Sequence, residues 1–155
     1  MKSKTLLVRR KVTSKRDQVR QLLREIEDLL DDIADADADA SWYSPALPTD
    51  AVPDRLADLG RHLRQMFGYE EDDEYLADLL SARPGLRDEI ARLHDEHGRL
   101  LALLEDVCEL AGSPTEPGST WNDVESHYRD FTRELAGHYR DEDALLEHAG
   151  AAQVC

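Results

Sequence analysis

The chain has 155 residues, 41% of them hydrophobic, with eight Gly and six Pro and a formal net charge of −15. That length suits one domain with a real core. The acidic balance argues against nucleic acid as a partner, because phosphate backbones are held by Lys and Arg. No stretch approaches the roughly 18 apolar residues of a membrane span, and Leu6-Leu7-Val8 is too short an apolar run for a secretory signal. A cytoplasmic, non-membrane protein is expected. Cys108 and Cys155 fit a reducing compartment and suggest no disulfide framework.

In chain order, residues 1–20 carry eight basic side chains and one acid, and they include all four lysines. Residues 1–13 read as a basic, solvated arm. The bundle itself is expected over 14–150, with 151–155 as a tail. The first helix should begin near Thr13-Ser14, with Asp17 in its first turn. Its stripe is Val19, Leu22, Leu23, Ile26, Leu29, Leu30 and Ile33, spaced to lie on one helical face. The Asp/Ala run that follows, and then SWYSPALPTD, read as a linker, with Trp42 and Tyr43 pinning it across the bundle end.

The second helix should start near Pro53. Its stripe is Leu56, Leu59, Leu63, Met66 and Phe67, and it ends on Glu70. The acidic run Glu71–Glu74 predicts a solvated end or kink, and a short helical piece over 75–80 leads to Pro84. The third helix is expected over 84–111, with the stripe Leu86, Ile90, Leu93, His97, Leu100, Leu104, Cys108 and Ala111. A Gly/Pro-rich loop, 112–118, precedes a cap at Thr120. The fourth helix places Trp121, Val124, Tyr128, Phe131, Leu135, Leu145 and Ala149 on one face, interrupted by His138 and Glu142. Four amphipathic helices make an all-α, up-down-up-down four-helix bundle the expected fold.

Four stripe residues break the apolar rule: Glu70, His97, His138 and Glu142. A carboxylate in a core is costly unless something pairs with it. In an antiparallel bundle, facing helices can bring these residues to one level. Two imidazoles and two carboxylates are a donor set for iron, manganese or zinc. The plainer reading is a satisfied core histidine with a local His138–Glu142 pair. Of the other histidines, His94 is rotated off its stripe. His62 lies about 12 Å from Glu70 along the helix, and His127 and His148 read as surface residues. No Glu-x-x-His occurs, and no nucleophile–base constellation marks an enzyme.

The segments HLRQMFGYEEDDEYLADLL, LHDEHGRLLALL and FTRELAGHYRDEDALL resemble the hemerythrin-like (HHE cation-binding) domain family. The resemblance implies a bundle that holds two irons. It aligns Glu70 with the bridging acid of the second helix and Glu96-His97 with the third-helix pair. His138 and Glu142, with Asp143 adjacent, align with the fourth-helix ligands. It also places Met66 and Ile26 where the family has histidines. Two expectations follow. One is a reduced site of Glu70, His97, His138 and Glu142 for at most one ion, serving metal, oxygen or redox sensing or storage. The other is a metal-free bundle that acts as an interaction or regulatory scaffold, with a protein partner or a second copy of the chain.

Overall fold

The computed structural model describes residues 2–38, 51–112 and 119–154. These form α1 (Lys2–Ala38), α2 (Ala51–Glu70), α3 (Asp73–Ala82), a 3-10 turn (Pro84–Leu86), α4 (Arg87–Gly112) and α5 (Ser119–Val154). No strand occurs among the described residues. Trp42, Tyr43 and most of the Gly/Pro-rich loop lie outside them. No helix among them is long and apolar enough to cross a membrane.

Cross-helix contacts give the topology. Lys15 meets His62 at 3.1 Å and Arg55 meets Glu25 at 3.3 Å, so α1 and α2 run antiparallel. Arg99–Glu134 (2.7 Å) and Glu96–His138 (2.8 Å) do the same for α4 and α5. Tyr128 of α5 donates to the Leu23 carbonyl at 2.9 Å, whereas Glu142 meets Arg16, so α1 and α5 are antiparallel too. α2 packs on α4, and the four long helices make an up-down-up-down bundle. Its core includes Val19, Ile26, Leu59, Leu63, Phe67, Leu100, Leu104, Phe131 and Leu135. Val107 takes the fully buried place in α4 and Cys108 beside it is half-buried. One residue's difference in helical phase separates the two, about 100° of rotation.

The helix boundaries differ from the sequence reading at the amino end. α1 starts at Lys2, eleven residues before the expected cap at Thr13, and Val8 and Val12 are buried. The stripe therefore extends back as Val8, Val12, Arg16, Val19. The basic residues between them mask it in a composition-based reading. α5 likewise continues through Val154.

The acidic run after α2 breaks the helix as expected, and the break has a use. The Asp72 side chain accepts from the backbone N–H groups of Glu74 (3.1 Å) and Tyr75 (3.0 Å) and so caps α3. Such a cap stabilises a helix by about 1 kcal/mol. α3 packs on α1 and α5, and its buried Tyr75 and Leu79 line a cavity together with Glu70 at the end of α2.

Candidate metal centre

Each of the four stripe-breaking residues is buried, and their donor atoms come together. One atom each from Glu70, His97, His138 and Glu142 lies within 4.8 Å of the others. α2 supplies Glu70 from its last turn, α4 supplies His97, and α5 supplies His138 and Glu142 at i, i+4 spacing, one above the other. His97 Nε2 stands 2.9 Å from Glu70 Oε2, and His138 Nε2 stands 3.3 Å from Glu142 Oε2. Ligands at ~2.0–2.2 Å from one ion lie about 3.3 Å apart in a tetrahedron, so each of these pairs is close enough to share an ion as well as to form an ion pair.

The hydrogen bonding points the same way. Both Glu70 carboxylate oxygens and His138 Nε2 are buried without a hydrogen-bond partner. The His138–Glu142 contact is close enough for charge attraction but is not aligned as a hydrogen bond. Orphaned buried polar atoms are uncommon and costly. Here Glu70 and His138 Nε2 belong to the four-residue cluster, where one ion could satisfy both.

The imidazoles are held from behind. His138 Nδ1 is 2.8 Å from Glu96 Oε2, which fixes the proton on Nδ1 in the neutral ring and turns the Nε2 lone pair inward. His97 Nδ1 faces Glu71 at 3.6 Å, a looser version of the same device. Phe67 stacks on His97 with ring centroids 3.9 Å apart and fixes its plane, and His138 meets His97 edge-on at 4.9 Å. Glu96, paired with His97 by the family resemblance, is thus outside the donor cluster and supports His138.

Charge among these residues is set by burial and by neighbours. Burial, and then the charge and hydrogen bond of Glu142, push Glu70 up to about 10. A proton on Glu70 gives one of its oxygens a donor toward Glu142, which relieves part of the unsatisfied pair. Burial alone would raise Glu142 as well, but His138, Glu70 and the Arg16 charge outweigh it and hold that carboxylate below its usual range. Burial, with His138 and His94 nearby, lowers His97 to about 3. Burial opposes the charge on His138, yet contacts with Glu142 and Glu96 raise it.

Arg16 is the residue that the sequence reading left out. Its Nη2 donates to Glu142 Oε1 at 2.9 Å, its Nη1 donates to Asp143 Oδ1 at 2.8 Å, and its guanidinium lies 4.4 Å over the Tyr139 ring. The rule that found the other four would have found it, since Arg16 is the one polar position in the stripe Val8–Val12–Arg16–Val19. Ile26 is corrected in the other direction. It is fully buried but ten residues from Arg16, about 15 Å along α1, at the level where Leu23 meets Tyr128. The α1 position level with Met66 is near Val12, since Lys11 lies over Tyr69 and Lys15 meets His62. Met66 itself does adjoin the centre, with the Tyr139 hydroxyl 3.8 Å from its sulfur.

His94 is half-buried, 5.4 Å from His97 between ring centroids, and stands beside the cluster. With Tyr75, Leu79, Leu93 and Leu145 it helps to wall a cavity of about 30 Å³ against Glu70, His97 and Glu142. That is room for one or two waters, or a ligand of that size. His127 is exposed and bonded to the Asp123 carbonyl at 2.8 Å, and His62 is on the α1–α2 surface.

Buried imidazoles and carboxylates brought to one level are the donor set with which helical bundles hold cations. Residues 88–154 match the family model described as Hemerythrin HHE cation binding domain. The match spans α4 and α5 with His97, His138 and Glu142, and bears out the hemerythrin-like resemblance there. Glu70 lies outside it. No match was found among curated proteins or among solved structures.

Proposed function

We propose that this chain is a cation-binding bundle that holds one iron, manganese or zinc ion between Glu70, His97, His138 and Glu142. The observation that carries the reading is the gathering of four buried donors: one atom each from Glu70, His97, His138 and Glu142 lies within 4.8 Å of the others, and Glu70 and His138 Nε2 lack an aligned hydrogen bond. Two carboxylates and two neutral imidazoles balance one divalent ion. A metal bound there would supply Lewis acidity, or one-electron chemistry if it is iron or manganese. The chain's residues hold the donors, and buried Tyr75 and Leu79 line a small cavity beside them. That arrangement suits sensing or storage of metal, oxygen or redox state.

A metal-free scaffold is the second reading, and one observation favours it. Glu96, His138, Glu142 and Arg16 form a chain of alternating charge that closes without an ion. Elemental analysis of protein purified without chelator separates the two. The first reading expects close to one equivalent of a transition metal, and a fall in melting temperature on chelation. Metal-free protein that also fails to take up Fe(II), Mn(II) or Zn(II) on titration would refute it.

A further inference from the structure

Glu142 uses its two oxygens in opposite directions. Oε2 turns into the cluster toward His138, and Oε1 accepts from the Arg16 guanidinium at 2.9 Å. A carboxylate that bridges two cations has this disposition. The second cation here is an arginine from α1, with its side chain only 14% exposed. Asp143 takes its other terminal nitrogen at 2.8 Å and the Tyr139 ring lies under its face.

We infer that Arg16 stands where a second metal ion would bind and restricts the centre to one. The inference rests on the metal-binding reading above and adds what sets the stoichiometry. Charge makes the case. Ionised Glu70 and Glu142 neutralise one divalent ion, and Asp143 neutralises Arg16. A second divalent ion on Glu142 Oε1 would lie in contact with a guanidinium that stays protonated throughout the working pH range. Space makes the same case. The guanidinium already occupies Glu142 Oε1 and Asp143 Oδ1, with the Tyr139 ring 4.4 Å beneath it. Driving Arg16 out would also separate a largely buried cation from both of its carboxylates, which is strongly unfavourable.

Removing the guanidinium frees two carboxylate oxygens beside a small vacated volume, a hard-donor site that water can complete for Mn(II). The test is equilibrium dialysis of the full chain against Mn(II), with electron paramagnetic resonance on the same samples and a thermal melt as a folding check. Wild type and Arg16→Lys should bind one Mn(II) per chain with an uncoupled spectrum. Arg16→Ser should bind two, the second with at least tenfold higher affinity than any second ion in wild type, and show a spin-coupled pair. Arg16→Gln, closer in length, is read by the same criterion and covers a loss of folding in the serine variant. Folded Arg16→Ser or Arg16→Gln that still binds one Mn(II) overturns the role of the arginine and leaves the single-ion reading standing. Two ions in wild type overturn it as well. Wild type and variants that all bind none refute the metal reading itself, and this inference with it.

Discussion

Loading the centre must expel protons, and pH is therefore the sharpest probe of it. Burial, and then the charge of Glu142, push Glu70 up to about 10 from 4.5. Between those values the folded chain holds a proton that the unfolded chain has lost. Stability from this group is fully present below pH 4.5 and declines as pH rises through the window, by at most about 1.4 kcal/mol per unit. Metal binding has the opposite trend, because Glu70 must release that proton to become a ligand. One proton released per ion makes the apparent affinity rise about tenfold per pH unit, and His138 adds a second proton below its raised pKa. From pH 6 to pH 8 the dissociation constant for Mn(II) should therefore fall by roughly 100-fold or more. The rise in melting temperature at fixed metal should grow accordingly. Calorimetric titration in two buffers of different ionisation enthalpy counts the protons directly, and at least one per ion is expected near pH 7. Glu70→Gln, which has no proton to lose, should bind more weakly and release one fewer. Binding that releases no proton and has a flat pH profile would refute the assignment of a protonated Glu70 to the centre.

Three further outcomes follow from the packing. Deletion of residues 2–12 removes buried Val8 and Val12, which together contribute roughly 3 kcal/mol or more. The melting temperature should fall by about 6–12 °C, and an unchanged thermal melt would show that this segment does not pack. Ile26→His should leave metal stoichiometry and affinity unchanged, since the position is about 15 Å from Arg16 along α1. It should cost about 1–3 kcal/mol for an unpaired ring in the core by denaturant unfolding, and metal-dependent stabilisation of this variant beyond wild type would refute the register of α1. Glu96→Gln should weaken metal binding by roughly 10–100-fold, as loss of a carboxylate behind a histidine ligand does, with helix content by circular dichroism unchanged. Wild-type affinity in that variant would show that Glu96 does not orient His138.

Much of this protein is legible in its periodicity. The stripes of α2, α4 and α5 mark which face of each helix is buried, because burial follows the 3.6-residue repeat whatever the neighbours are. For the same reason Glu70, His97, His138 and Glu142 stand out as polar residues in apolar stripes, and all four are buried together in the fold. Periodicity fixes rotation about a helix axis and says nothing of level along it. Ile26 and Val12 both lie on the inward face of α1, and only the packing of α1 on α2 and α5 decides that the centre is level with Val12. Composition misled at the amino end, where lysines and arginines around Val8 and Val12 resemble a solvated arm. The roles of Arg16 and Glu96 belong wholly to the tertiary structure. The stripe marks Arg16 as facing inward, but its partner lies 126 residues away and that of Glu96 lies 42 away, and periodicity cannot name a partner that only the docking of whole helices brings near.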